Sequence, residues 1–260
     1  MREFTEIKYE LKAGVARVTI NRPERLNALG MNLAEEFDAL GGALADGKEV
    51  CVVLLTGEGR AFSTGRDLKE SASHTKEDAD RYQLLGMETV TKWENLPMPT
   101  IAAINGHAFG WGMEIALACD IRLAAEEATL CFPETALGVF PGAGGTVRLP
   151  RVIPAGLAKE LIYTAKRFDG KEAERIGFVN RAYPADRLGD EAAAMAEAIA
   201  ANGPLGVRAA KKVIAHTQNM SMAQAIEFSN AVRLPLNFTR DFAEALAAFK
   251  EKRKPVFRGE

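Results

Sequence analysis

Cysteine, histidine and aromatic residues are scarce in this chain of 260 residues. It has three cysteines and three histidines, and Phe, Trp and Tyr together make up 7% of the sequence. The cysteines, Cys51, Cys119 and Cys131, are odd in number, widely spaced and surrounded by apolar residues. We therefore expect reduced residues of the core, because a disulfide framework or a cysteine metal site needs a different number and spacing of cysteines.

An excess of charge and a long hydrophobic run are both missing. The 33 basic and 35 acidic residues give a net charge of −2, which predicts no nucleic-acid partner and no anionic membrane surface as a partner. No apolar run approaches the roughly 20 residues of a membrane-spanning helix. The first ten residues, MREFTEIKYE, lack the apolar segment of a signal peptide. The sequence therefore predicts a cytoplasmic protein without a membrane partner.

The motifs of nucleotide binding and of nucleophilic catalysis are also absent. The glycine-rich segments TGEGRAF (56–62) and PGAGGTVRL (141–149) fit neither a phosphate-binding P-loop nor the Gly-x-Gly-x-x-Gly pattern. No Gly-x-Ser-x-Gly sequence is present. His107 lies in a loop without a second metal ligand at a useful spacing, and we expect His74 and His216 to face solvent. The sequence thus predicts no metal site and no serine nucleophile.

Strand and helix patterns alternate through the first 185 residues. They predict a hairpin around Gly14, helices over 32–46 and 76–95, a buried strand over 50–57, and strand, glycine turn, helix and strand over 100–125. Such alternation is typical of parallel βαβ units. Residues 186–260 instead carry four alanine-rich helical segments. We expect an α/β core (1–185) that carries the functional site, and a helical region (186–260) that completes this core or packs against another subunit.

Two glycine-rich loops each follow a buried strand and lead toward a helix: TGEGRAFSTGRDL (56–68) and NGHAFGWGMEI (105–115). Backbone N–H groups at a helix start have no partner within the helix and carry the positive end of its dipole. The carboxyl ends of neighbouring parallel strands are where α/β sheets usually bind ligands. One N–H group from each loop could therefore converge on a single oxygen and form an oxyanion hole.

Two glutamates accompany these loops. Glu114 lies one turn into the helix behind the second loop, and Glu134 stands among apolar residues before another glycine-rich turn. A lone glutamate in an apolar helix most often faces solvent. The place of Glu114 beside a predicted anion-stabilising turn favours the alternative, in which the carboxyl groups of Glu114 and Glu134 act as general acid and base. Apolar surroundings would raise the pKa of Glu134.

The order of these segments resembles the enoyl-CoA hydratase/isomerase (crotonase) superfamily over nearly the whole chain. The resemblance rests on INRPERLNAL, GRAFSTGRDLKE, PTIAAINGHAFGWGMEIALACDIRLAA, FPETALGVFPGAGGTVRLPR, AKELIYTAKRFDGKEAERIGFVN and AFKEKRKPVFRGE. Within the superfamily the chain is most similar to 3-methylglutaconyl-CoA hydratases. The resemblance implies an α/β fold, a spiral of ββα units with a C-terminal helical trimerisation region.

The resemblance also implies residue roles. The backbone N–H groups of Arg66 and Trp111 would form the oxyanion hole, Glu114 would be the carboxylate that activates water, and Glu134 would carry the proton that is delivered. The residues implied in binding coenzyme A are Arg25, Leu26, Ala28, Lys69 and Lys252, the last reaching the coenzyme A of a neighbouring subunit. No separate cofactor is implied, because coenzyme A is part of the substrate.

The implied activity is enoyl-CoA hydration, the reversible syn addition of water across the α,β double bond of an acyl-CoA thioester. The implied assembly is a homotrimer or a dimer of trimers. An isomerase or another enolate-forming enzyme of the family is the alternative, and a catalytically inactive acyl-CoA-binding protein is a further one. Trp111 stands where the family usually has a small residue, and we expect its indole to narrow the acyl pocket.

Overall fold

Two β-sheets form the frame of the part of the chain described by this computed structural model, residues 4–260. Their strands are β1 (Ile7–Lys12), β2 (Val15–Ile20), β3 (Val52–Gly57), β4 (Ala61–Ser63), β5 (Thr100–Ile104), β6 (His107–Phe109), β7 (Ile121–Ala125), β8 (Thr129–Cys131), β9 (Phe168–Asp169) and β10 (Arg181–Tyr183). The larger sheet has the order β1-β2-β3-β5-β7-β10, and the smaller has the order β4-β6-β8-β9.

The larger sheet is parallel except for its first pair. β1 and β2 form the predicted antiparallel hairpin, in register from Ile7 opposite Ile20 to Lys12 opposite Val15. In the smaller sheet β4, β6 and β8 are parallel, and β9 pairs antiparallel with β8. Each of β3, β5 and β7 is followed by a short strand of the smaller sheet, which is the ββα repeat that the resemblance implies.

The short strands correct one sequence-based expectation. Segments 61–63 and 107–109 were predicted as parts of glycine loops, but they are strands β4 and β6. Three residues are too few to show the alternation of apolar and polar residues that marks a strand. They are strands because they pair with each other and with β8, and the local sequence does not reveal these partners.

Helices cover the sheets and form the C-terminal region. They are α1 (Met31–Asp46), α2 (Leu68–Ser71), α3 (Lys76–Glu94), α4 (Trp111–Ala118), α5 (Gly145–Val152), α6 (Ala155–Thr164), α7 (Gly170–Arg175), α8 (Ala185–Ala200), α9 (Pro204–Thr217), α10 (Met222–Arg233) and α11 (Arg240–Glu251). The helices predicted over 32–46 and 76–95 are confirmed as α1 and α3, and α8 to α11 are the four predicted alanine-rich helices. Within residues 4–260, no helix has both the length and the apolar composition needed to cross a bilayer.

The core lies between the larger sheet and the helices packed on it. β3 is buried along its apolar run, as a strand covered on both faces must be. The first helix of the C-terminal region, α8, packs on β3, β5 and β7 through Leu188, Ala192 and Ala196. None of the cysteines forms a disulfide; Cys119 and Cys131 are buried, and Cys51 is half-buried. The division between 185 and 186 stays a prediction, with α8 completing the core.

Candidate active site

A cavity of about 390 Å³ lies where the chain leaves β4, β6 and β8. These three strands are parallel, so their carboxyl ends meet at one edge of the smaller sheet. The cavity is lined by all four residues predicted for the chemistry, namely Arg66, Trp111, Glu114 and Glu134. The structure therefore brings together residues that lie up to 68 positions apart in the sequence.

The two predicted N–H donors are adjacent because a glycine lets the loops touch. Gly65 has a φ of +81°, and a Cβ at this position would lie 2.7 Å from the carbonyl oxygen of Phe109 and 3.2 Å from the backbone nitrogen of Trp111. Neither the N–H of Arg66 nor that of Trp111 donates a hydrogen bond to another group in residues 4–260. Both donors are thus available beside the cavity, as an oxyanion hole requires.

Helix α4 approaches β4 closely, and Gly112 makes this possible. A Cβ at residue 112 would lie 2.2 Å from the carbonyl oxygen of Ser63, far inside van der Waals contact. The eight residues of α4 are all buried, so the helix has no solvent face. Gly112 therefore lets the start of this helix pack against the strand that ends three residues before Arg66.

Glu114 points from α4 into the cavity and is only 3% exposed. The solvent-facing alternative is wrong for this residue. Its Oε1 accepts a hydrogen bond of 2.8 Å from the backbone N–H of Gly145. Burial, assisted by the nearby charge of Glu134, raises the pKa of Glu114 to about 7 against the opposing effect of backbone donors. A carboxyl group with this pKa exchanges protons near neutral pH.

Glu134 begins a single 3-10 turn, Glu134–Leu137, behind Pro133. A Cβ on Gly110 would lie 2.9 Å from Glu134 Oε1, and Glu134 Oε2 is buried without a hydrogen-bond partner in residues 4–260. Burial raises the pKa of Glu134 to about 6. Burial thus raises the pKa of both glutamates toward neutral pH, and the assignment of the delivered proton to Glu134 stays a prediction.

Two of the five residues predicted to bind coenzyme A, Arg25 and Lys69, contact the carboxylate of Asp67, and none of the five lines the cavity. Arg25 donates to both oxygens of this carboxylate, at 2.7 and 2.8 Å, and Asp67 caps the helix that carries Lys69. Leu26 has a left-handed backbone conformation with a φ of +53°, and Ala28, two residues further along the chain, is buried. The sequence analysis missed Asp67, although an aspartate directly before LKE is a typical helix cap.

The fifth residue, Lys252, is not brought to the cavity within one chain. It follows α11 with a left-handed φ of +55° and is exposed. No residue of the region 186–260 lines the cavity. Its role toward coenzyme A requires a second copy of the chain and stays a prediction.

The remaining residues singled out from the sequence lie outside the cavity lining. His107 starts β6 and does not line the cavity, and His216 is exposed as predicted. The prediction for His74 is wrong: its side chain is 11% exposed and its ring lies 5.8 Å from that of Tyr82. Within residues 4–260, no three His, Cys, Asp or Glu side chains are grouped to hold a metal ion.

The indole of Trp111 forms part of the cavity wall. It packs edge-on against Phe37 of α1, with ring centroids 5.2 Å apart, and lies about 4 Å from the Cβ position of Gly86 in α3. The indole thus lies between Phe37 of α1 and Gly86 of α3. The expected narrowing of the acyl pocket by this ring stays a prediction.

The raised pKa values of the pair predict a pH-dependent stability. A carboxyl group whose pKa is higher in the folded chain stabilises the fold below its unfolded pKa, and this contribution is lost as the pH rises through the folded value. For Glu114 the window runs from about 4.5 to about 7. We expect Glu114→Gln to be more stable than the natural chain by up to about 3 kcal/mol at pH 8, and by almost nothing near pH 4.

Chemical denaturation of both proteins between pH 4 and pH 8 measures this difference. Glu197→Gln, at an exposed position of α8, is the matched control, and its free energy of unfolding should change with pH as that of the natural chain does. If the free energy of unfolding of Glu114→Gln also followed that of the natural chain, the raised pKa of Glu114 would be contradicted.

Comparison with known proteins identifies the family and the fold of the chain. The sequence profile of the family described as "Enoyl-CoA hydratase/isomerase" matches residues 10–260. A crystal structure of an enoyl-CoA hydratase from Bacillus anthracis, 40% identical in sequence, superposes with a TM-score of 0.95 over 98% of this chain and 100% of that one. The predicted α/β crotonase fold is thereby confirmed.

Two curated relatives cover nearly all of this chain. It is 38% identical to the short-chain-enoyl-CoA hydratase of Clostridium acetobutylicum, over 97% of each protein. It is 37% identical to the human mitochondrial methylglutaconyl-CoA hydratase, over 96% of this chain and 76% of that protein. The predicted likeness to methylglutaconyl-CoA hydratases is therefore confirmed. On these grounds the chain belongs to the enoyl-CoA hydratase/isomerase family.

Proposed function

We propose that this protein is an enoyl-CoA hydratase that adds water reversibly across the α,β double bond of an enoyl-CoA thioester. The observation that carries the proposal is that Glu114 and Glu134 line the same cavity as the two backbone N–H groups without acceptors. Two carboxyl groups and an oxyanion hole are the parts that hydration of a conjugated thioester needs.

In this proposal the thioester oxygen accepts hydrogen bonds from the N–H groups of Arg66 and Trp111. Negative charge develops on this oxygen as the hydroxyl group of water adds to Cβ, and each such donor typically contributes about 3 kcal/mol to stabilising the transition state. Glu114 accepts the proton that the water loses, and Glu134 delivers a proton to Cα. Both glutamates act from one face of the alkene, so the addition is syn.

This sequence of steps starts with the shared proton on Glu134. Burial raises the pKa of both glutamates toward neutral pH, so either carboxyl group can hold or release a proton near neutral pH. The pair finishes with one proton, as it started.

The coenzyme A moiety is proposed to bind along Arg25, Leu26, Ala28 and Lys69. In the structure Asp67 holds these segments together, because Arg25 donates to its carboxylate and Lys69 donates to it through the backbone N–H. Binding energy from this remote part of the substrate would position the alkene between the glutamates.

A homotrimer or a dimer of trimers is proposed as the assembly. The support is the apolar surface left open by the C-terminal helices, where Phe238 and Phe249 are 90% and 87% exposed. Side chains of this size are seldom left in contact with water as a group. In such an assembly Lys252 would reach the coenzyme A held by a neighbouring chain.

The proposal is tested by following the absorbance of the conjugated thioester with purified protein and straight, branched, aromatic and cyclic enoyl-CoAs. We expect loss of the conjugated absorbance with substrates that have short acyl chains, since the bulky Trp111 is among the residues that line the cavity. Migration of the double bond without water addition would favour the isomerase alternative. Tight acyl-CoA binding without turnover of any substrate would overturn the proposal in favour of an inactive binding protein.

A further inference from the structure

The Glu114 carboxylate accepts its hydrogen bond from a loop that has few side chains of its own. The donor is the backbone N–H of Gly145, the first residue of α5, at 2.8 Å. The three residues before it, 142–144, carry no side chain larger than a methyl group, and Gly144 has a left-handed φ of +103°. A glycine-rich loop has little stiffness of its own, so its position depends on contacts from other residues.

Arg148, three residues further along α5, supplies such a contact. Its Nη1 donates to the carbonyl oxygen of Ala143 at 2.9 Å. A Cβ on Gly144 would lie 1.9 Å from this Nη1, so the guanidinium reaches the loop only because residue 144 is a glycine. Arg148 therefore ties the loop to the helix whose first N–H group binds Glu114.

The same guanidinium is anchored at the end of α3. Its Nε and Nη2 donate to the two carboxylate oxygens of Glu94, at 3.0 and 2.6 Å. This pairing uses the planar fork of arginine, which lysine lacks. The Arg148 side chain is 14% exposed, so water screens its charge less than that of a fully exposed arginine. Arg148 thus links the last residue of α3 to the loop that contacts Glu114.

The charge of Arg148 also acts on Glu114. Burial raises the pKa of Glu114, and the backbone N–H of Gly145 and the positive charge of Arg148 oppose this effect. Arg148 does not line the cavity, so it acts on the carboxylate without touching a substrate bound there. The charged and titratable groups that face Glu114 from the cavity wall and from α5 are Arg66, Tyr82, Glu134 and Arg148.

We propose that Arg148 is a positioning residue for water addition, which uses its hydrogen bonds to Ala143 and Glu94 to hold the loop that orients the Glu114 carboxylate. This inference rests on the proposed hydratase function and adds a residue from outside the cavity. The positive charge works in the same direction, since it favours the ionised carboxylate that accepts the proton from water. Without Arg148 the carboxylate would lose both a fixed donor and a nearby cation.

The test is the pH dependence of crotonyl-CoA hydration by Arg148→Met, which removes the donors and the charge of this side chain. The acid limb of kcat/KM reports the ionisation of the base in the free enzyme. Loss of a cation and of a fixed donor both raise the pKa of Glu114, so this limb should move to higher pH by about one unit. Above the limb, kcat should stay about tenfold lower, because the carboxylate is misplaced. KM should change by less than about threefold, because Arg148 does not touch the substrate.

Arg151→Met is the matched control, because Arg151 is an exposed arginine of the same helix that donates to Val147 within it. Its pH profile and its kcat should equal those of the natural chain. Arg148→Lys keeps the charge without the fork, so it should recover most of the shift of the acid limb but only part of kcat. An unchanged kcat in Arg148→Met would overturn the inference. A lower kcat with an unchanged acid limb would also overturn it, since a merely structural role predicts that result.

A measurement without turnover separates this inference from the proposed function. Chemical denaturation between pH 4 and pH 10 gives the stability difference between Glu114→Gln and the natural chain, and this difference levels off at the pKa of Glu114 in the folded chain. When both proteins also carry Arg148→Met, it should level off about one pH unit higher. With Arg151→Met in both, it should not move.

The two proposals then fail separately. If no enoyl-CoA is turned over but the levelling-off point moves as expected, the hydratase proposal fails and the effect of Arg148 on Glu114 is supported. If the difference levels off at the same pH with and without Arg148→Met, the inference is overturned, whatever the activity of the protein.

Discussion

Replacing Glu114 by glutamine is expected to lower kcat for hydration of crotonyl-CoA by about 10³-fold. Glutamine has the shape of the buried side chain and can still accept the hydrogen bond from Gly145, but it cannot take a proton from water. KM should change by less than about threefold, because the proposed thioester contacts come from backbone N–H groups. Loss of the conjugated absorbance measures both constants.

Glu134→Gln is expected to lose activity to a similar extent, and the double variant should lose little more than either single one. In the proposed mechanism the two carboxyl groups transfer protons as one unit, and residues that act as a unit have non-additive effects. Glu197→Gln, at an exposed position of α8, should retain full activity. If Glu134→Gln lost hydration but still moved a double bond, the isomerase alternative would account for the site.

The burial of Glu114 could be predicted in part from the sequence. Glutamate statistics favoured a surface position, yet the helix WGMEIALA is apolar all round, and such a helix is usually buried and leaves no solvent face for its one charge. The apolar character of this helix can be read from the sequence. The approach of Glu134 to the same site cannot, because Glu134 comes from a different repeat and is brought near Gly110 by the pairing of β6 with β8.

Other parts of the site depend on contacts that no local pattern encodes. His74 stands in a polar segment and was expected in water, but its ring packs against Tyr82 of α3. The role of the Arg66 backbone N–H was predicted from the family resemblance, which places this donor directly after Gly65. The direction of its side chain is set by Tyr82 and Ser71, and no local pattern in the sequence predicts these tertiary contacts.

Gly110→Ala is expected to lower hydratase activity by about 10²-fold and to destabilise the fold by about 1–3 kcal/mol. Gly110 has a φ of +51° and a ψ of −118°, a region that residues with a Cβ rarely enter. Its N–H donates to Cys131 in β8, and its carbonyl oxygen accepts from the N–H groups of Met113 and Glu114. Strain at this residue therefore moves the backbone that carries one glutamate.

The new methyl group would also displace the second glutamate, since it would lie 2.9 Å from Glu134 Oε1. Gly177→Ala separates strain from this contact: Gly177 has a φ of +82° with no atom within 4 Å of the added Cβ. We expect it to lose stability and keep its activity. Chemical denaturation of both variants measures the loss of stability that backbone strain causes, and kcat of both variants measures the loss of activity that displacement of the glutamates causes. A Gly110→Ala protein with full activity would mean that neither glutamate needs its present position, and the proposed water addition would have to be abandoned.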